Sequence, residues 1–146
     1  MNNITIKQMD ISDFNKIKQN LLSDFNDFWS INTFESELKS QNSYYIIAEI
    51  NDEIVGFAGL KYVLDNADIM NIVTKKNKRN LGIGYKLLEN LIFFCNKNSI
   101  NQLTLEVNEK NSPAIHLYEK FNFKKISTRN NYYQNGDTAI IMQLDL

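Results

Sequence analysis

The chain has 146 residues, one cysteine (Cys95), one histidine (His116) and a formal charge of −1 with both signs interspersed. That length suits one domain with a proper core and is short for two. The charge pattern gives no sign of a polybasic nucleic-acid surface; one cysteine excludes an intramolecular disulfide and a cysteine-rich zinc site, and one histidine argues against a histidine-built metal centre.

No apolar run approaches the roughly 18 residues of a membrane span. The opening Met-Asn-Asn-Ile-Thr-Ile-Lys lacks the basic flank and apolar core of a signal peptide. The expectation is a soluble cytoplasmic protein, one domain over residues 1–146, with no metal, nucleic-acid or membrane partner. Its oligomeric state is expected to be a monomer or weak homodimer.

Ile4 and Ile6 alternate with Thr5 and Lys7, which predicts a short opening strand. Phe14, Ile17 and Leu21 recur at helical spacing, with Asp10 or Ser12 as cap. A second helix is predicted from Asn32, because Glu35 completes a capping box and Leu38 shares the face of Phe34. Tyr44 to Ile50 and Ile54 to Leu64 read as strands joined by a tight Asn51-Asp52-Glu53 hairpin. Asp65 and Asn66 mark a turn into a third strand, Ile69 to Thr74, which completes an antiparallel meander.

The period then changes. Ile83, Leu87, Leu91 and Cys95 fall on one face of a helix running from Gly84 to Lys97. Leu103, Leu105 and Val107 alternate with Thr104 and Glu106, a strand with two distinct faces. Strand, long helix and strand predict a parallel, right-handed crossover. A short helix from Pro113 to Phe121, a strand near Lys124 to Arg129 and a final strand from Thr138 to Leu144 complete an α/β (α+β) fold. Its sheet is mixed and mostly antiparallel, with the parallel crossover at its centre and helices flanking it.

Between Lys78 and Tyr85 the chain reads Lys-Arg-Asn-Leu-Gly-Ile-Gly-Tyr, between a strand and a long helix. Gly82 and Gly84 carry no Cβ, so backbone can lie close against a ligand. The first turn of the following helix offers N–H donors and the positive end of its dipole, a combination that suits phosphate oxygens. A dinucleotide fingerprint fails, because the third glycine of the pattern falls on Leu87 and a meander precedes the loop. The Walker pattern fails too, since no Gly-Lys-Ser or Gly-Lys-Thr follows a six-residue glycine spacing. Taken alone, the two glycines are equally compatible with a plain helix start.

Arg79-x-x-Gly82-x-Gly84 resembles the acetyl-CoA pyrophosphate loop of the GNAT superfamily of N-acetyltransferases. The resemblance implies a GNAT-like domain whose backbone from Asn80 through Leu81, Gly82, Ile83, Gly84 and Tyr85 holds the pyrophosphate, with Arg79 at the first position of the pattern. Met70-Asn71-Ile72-Val73-Thr74 looks like the family's central strand, so Ile72, Val73 and Thr74 are expected along the pantetheine arm. The stretch from Leu105 to Phe123 is similar to the family's C-terminal half. Trp29-Ser30, Arg129-Asn130-Asn131-Tyr132-Tyr133 and Asp137 to Met142 are similar to one branch, the ribosomal-protein-alanine N-acetyltransferases. Two positions depart from that branch: Phe28 stands where a proline is usual, and Asn122 where glycine is usual.

Transfer of an acetyl group to an amine needs a base for the ammonium, a donor for the oxyanion and an acid for the leaving thiolate. Glu106 emerges opposite Leu105 and Val107 at a strand end, where a partly desolvated carboxylate can act as base; a solvated surface carboxylate is the alternative from the residues alone. The resemblance makes Glu106 the proton acceptor, directly or through water, and Tyr118 the proton donor to the CoA sulfur. By spacing alone Tyr118 shares a helix face with Ile115 and Phe121 and reads equally as core. Asn111 reads as a helix cap, and the family's matching asparagine contacts the cofactor. The Val73 N–H is the oxyanion donor by resemblance only.

His116 is expected at the surface, and Cys95 as core filler without a covalent role. Trp29, Tyr132 and Tyr133 are candidates for an acceptor groove, with ordinary packing as the alternative. Asp24, Asp27 and Glu35 are candidates to attract an ammonium. The implied reaction is direct transfer from acetyl-CoA, with no metal, to a protein N-terminal α-amine, the best candidate being a small-subunit ribosomal protein. The alternatives are a small-molecule or lysine amine acetyltransferase, or a catalytically silent acyl-CoA-binding module.

Overall fold

The computed structural model describes residues 3–19, 35–36 and 38–146. Its described elements run β1 (Thr5–Gln8), α1 (Ile11–Gln19), β2 (Ser43–Ile50), β3 (Glu53–Val63), β4 (Asn66–Thr74), α2 (Ile83–Lys97), β5 (Gln102–Asn108), α3 (Ser112–Lys120), β6 (Lys124–Arg129) and β7 (Ala139–Asp145). The seven strands form one sheet in the order β1-β2-β3-β4-β5-β7-β6. It is the expected mostly antiparallel sheet with one parallel pair, β4 against β5.

The chain divides into two compact units, Met1–Lys61 with Met70–Phe94, and Tyr62–Ile69 with Cys95–Leu146. In the first, α1 is capped by Asp10, not Ser12. The Asp10 carboxylate accepts the Asp13 N–H at 2.8 Å, and the Asp13 carboxylate accepts the Asp10 N–H at 3.0 Å. This reciprocal box satisfies two donors that a helix start otherwise leaves open. Phe14 and Ile17 are then buried with Tyr45, Ile47, Phe57 and Val73.

The β2–β3 hairpin is tighter than predicted. Ile50 pairs with Glu53 across a two-residue turn. Asn51 and Asp52 both have positive φ, 50° and 65°, the conformation that matches strand twist in such turns. Glu53 therefore belongs to the strand. Likewise Leu64, at φ 56°, carries the next turn, and Asn66 already lies in β4.

Ile83, Leu87, Leu91 and Cys95 are buried along α2, as their spacing predicted. A Cβ on Gly56 would lie 2.8 Å from Ile83 Cγ2, so the missing side chain is what lets α2 approach β3 there.

In the second unit, Asn66–Asp68 pair in parallel with Gln102–Thr104. Polar links reinforce this ladder: the Thr104 hydroxyl donates to the Asp68 carboxylate, and Asn101 Nδ2 donates to Asp65 Oδ2 at 3.1 Å. Leu103, Leu105 and Val107 are buried, the alternation read from the sequence. β7 inserts between β5 and β6, antiparallel to both. β6 is the edge strand, exposed along its length; its two lysines and the register shift between Lys125 and Ser127 discourage pairing with another chain.

Candidate active site

The first unit holds the glycine loop. β4 ends at Thr74, and its end is fastened to the start of β3. The Lys75 N–H donates to the Val55 carbonyl at 2.8 Å, and the Lys75 ammonium lies 2.8 Å from Glu53 Oε2. Val73 is buried, while Ile72 and Thr74 are half-buried. A 3-10 turn, Lys76–Lys78, leads to Arg79 in extended conformation.

Asn80 (φ 66°) and Gly82 (φ 82°) then turn the chain through the left-handed region, and the Gly82 carbonyl accepts the Lys86 N–H at 3.1 Å as the first helical bond. Ile83 is buried and pins the loop to the core, whereas Leu81 and Gly82 face outward. Gly84 and Tyr85 lie in the first turn of α2. A Cβ built on Gly82 would meet no atom within 4 Å, so its backbone borders open space rather than packed protein. That geometry fits an anion approaching the main chain at a helix start.

The second unit holds the titratable side chains. Glu106 emerges from β5 between buried Leu105 and Val107, as expected, yet its side chain is 36% exposed. It is held by charge more than by burial. Arg129 Nη1 lies 3.4 Å from Glu106 Oε1, and the guanidinium sits 5.5 Å from the centroid of the Tyr132 ring. Hydrogen bonding to Glu106 pushes the Tyr132 phenol up. Tyr133 packs edge-on against Tyr132 at 5.1 Å, and burial, with the Glu106 charge second, raises its phenol too.

Tyr118 is buried on α3, its ring 5.9 Å from that of Phe123. Burial, with a smaller contribution from Tyr133, pushes its phenol up to about 12. It therefore stays protonated at neutral pH and can donate. Asn111 caps α3, its side chain accepting the Ala114 N–H at 3.3 Å. After the helix, Asn122 adopts the left-handed conformation (φ 71°) that glycine usually takes, so this departure from the family pattern is structurally absorbed.

Nothing in the local sequence marks Asp137 as a site residue, yet it anchors the loop bearing Tyr132 and Tyr133. Its carboxylate accepts from Lys110 Nζ at 2.8 Å, Asn108 Nδ2 at 2.9 Å and Asn135 Nδ2 at 3.0 Å. Its carbonyl accepts the Tyr132 and Tyr133 N–H groups at 3.1 and 3.2 Å. The Lys110 hydrogen bond first, then that of Asn108, holds the Asp137 carboxyl below its ordinary 3.8.

A lowered carboxyl stabilises the fold above the ordinary value and loses that contribution as pH falls through the lower folded value. Hydrogen-exchange protection of the Tyr132 and Tyr133 amides is therefore expected to hold down to about pH 4 and to fall below it. In Asp137→Ala it should already be reduced at pH 7. Wild-type protection in that variant contradicts the anchor.

His116 is exposed, 4.0 Å from Glu119, as expected of a surface residue. Cys95 is buried, and burial raises its thiol to about 11, so no thiolate is available for a covalent route at neutral pH. Glu35 is committed to Lys39 at 2.9 Å. Trp29, Asp24, Asp27, Phe28 and the predicted cap Asn32 lie outside the described residues. Among the described residues no His/Cys/Asp/Glu group is arranged to hold a metal, and no helix is long and apolar enough to cross a membrane.

Residues 14–123 match the model of the acetyltransferase (GNAT) family. The chain belongs to this family and is an acetyl-CoA-dependent N-acetyltransferase. It is similar to the [ribosomal protein bS18]-alanine N-acetyltransferase of Escherichia coli strain K12, with 37% identity over 123 residues that span 81% of each chain. The enzyme of the same name from Haemophilus influenzae is 35% identical over 120 residues, 78% of this chain and 80% of the relative. The crystal structure of the ribosomal-protein-S18-alanine N-acetyltransferase from E. coli matches with a TM-score of 0.90 at 32% identity, covering 98% of this chain and 94% of that one.

Proposed function

We propose that the chain, working as one domain over residues 1–146, acetylates the N-terminal α-amine of a small-subunit ribosomal protein in the cytoplasm. The observation that carries this reading is the second unit's cluster, in which a strand-end carboxylate, Glu106, stands beside the Tyr132–Tyr133 loop. The names of the bS18-alanine relatives support the choice of acceptor.

Acetyl-CoA supplies the activated acyl group as a thioester. Asn80 through Tyr85 hold the pyrophosphate by main-chain N–H groups beside Arg79, and Ile72, Val73 and Thr74 take the pantetheine arm, with the Val73 N–H assigned to the carbonyl oxygen. Asn111 adds a cofactor contact to its capping bond. Glu106 removes the proton from the acceptor ammonium, directly or through one water, so that the free amine is the nucleophile. The Tyr118 hydroxyl gives its proton to the departing sulfur. Trp29, Tyr132 and Tyr133 receive the acceptor's first residues.

The test is competition among acceptors read by mass spectrometry. The purified protein and acetyl-CoA are incubated with an alanine-initiated peptide copying the N-terminus of ribosomal protein bS18. The same vessel holds that peptide with a blocked α-amine and an added lysine, together with spermidine. Acetylation is expected on the free α-amine alone. Preferential modification of the lysine peptide or the polyamine overturns the acceptor assignment while leaving the N-acetyltransferase in place.

A further inference from the structure

β6 and β5 are not neighbours; β7 runs between them. Arg129 nevertheless reaches Glu106, and the register explains how. Ala139 of β7 pairs with both Asn108 of β5 and Arg129 of β6, and Ile141 pairs with both Glu106 and Ser127. Residues opposite one another in a sheet share a face, as do residues two apart on one strand. Glu106, Asn108 and Arg129 thus project from the same face.

Two strand spacings separate β5 from β6, about 10 Å. An extended arginine meeting a glutamate covers that distance, and the 3.4 Å contact between Arg129 Nη1 and Glu106 Oε1 is the result. The Tyr132 ring lies under the same guanidinium, 5.5 Å from its centre, so Arg129 touches both the carboxylate and the ring.

We propose that Arg129 is a positioning residue for Glu106: across β7 it holds the carboxylate in one orientation, toward the place where the acceptor ammonium gives up its proton. This rests on Glu106 being the base. The Glu106 side chain is 36% exposed and that of Arg129 59% exposed, so the pair lies at the surface. An exposed pair of this kind adds little to stability. Its effect is geometric, since the Arg129 guanidinium 3.4 Å away restricts a glutamate that otherwise samples several rotamers. The arrangement also sets a condition on the acceptor, because its ammonium approaches a carboxylate already paired with a cation.

The experiment compares Arg129→Gln, Arg129→Lys, Glu106→Gln and the double variant Glu106→Gln/Arg129→Gln. Each is assayed for kcat, for KM toward the acceptor peptide and for Tm. Arg129→Gln should lower kcat on the order of tenfold, with Tm unchanged, because a misplaced reacting group costs rate without costing fold. Arg129→Lys, which keeps the charge but not the planar fork, should recover part of that loss.

The double variant should be no slower than Glu106→Gln alone, since a residue acting through Glu106 has nothing to act on once the carboxylate is gone. Wild-type kcat in Arg129→Gln beside an impaired Glu106→Gln overturns the positioning role and spares the base. Multiplicative losses in the double variant, or a fall in Tm that accompanies the fall in activity, also overturn it. A fully active Glu106→Gln removes the base assignment itself.

Discussion

Glu106→Gln is expected to reduce turnover on an N-terminal acceptor by roughly 10²- to 10⁴-fold, the range of a positioned general base, with acetyl-CoA affinity unchanged. Glutamine keeps the shape of the side chain and can still accept a hydrogen bond from Arg129, but it cannot take a proton. The loss therefore isolates proton removal from packing. Tyr118→Phe is the companion change. Its ring stays packed near Phe123, and only the hydroxyl, whose phenol burial pushes up to about 12, is lost. A phenol that stays protonated at neutral pH can serve as an acid and not as a base, so under the proposed roles the two variants remove the proton acceptor and the proton donor separately. If both retain full turnover in a steady-state assay, the roles given to these residues are wrong.

What the sequence made legible is local. Periodicity alone located the apolar face of α2 through Ile83, Leu87, Leu91 and Cys95, and the two faces of β5 that send Glu106 outward. The Asn111 cap was readable because a side chain near its own backbone decides it. Observed strand bounds differ from the expected ones by one to three residues where turn chemistry competes with strand propensity. Two adjacent positive-φ residues, Asn51 and Asp52, complete the hairpin by themselves and leave Glu53 to the strand.

What stayed hidden depends on pairings between distant residues. Nothing near position 129 announces that its arginine reaches position 106, because the insertion of β7 between β5 and β6 creates that proximity. The anchoring of the Tyr132–Tyr133 loop by Asp137 joins three segments, at 108–110, 130–133 and 135–138. No single stretch of the chain encodes it.

The glycine loop yields the second large effect. Gly82→Asp is expected to weaken acetyl-CoA binding roughly tenfold or more by calorimetry, the repulsion of one added negative charge near a pyrophosphate at partly screened distances. The structure allows the cause to be separated. Gly82 has a φ of 82°, where an ordinary side chain is strained, but no atom lies within 4 Å of its would-be Cβ, so steric overlap with the protein contributes nothing. Asparagine tolerates the left-handed region about as well as aspartate and is nearly its isostere. Gly82→Asn therefore carries the backbone cost without the charge, and its affinity should fall by only a few-fold relative to the wild type. Equal weakening in the two variants means that strain dominates; unchanged affinity in Gly82→Asp means that the pyrophosphate is held elsewhere.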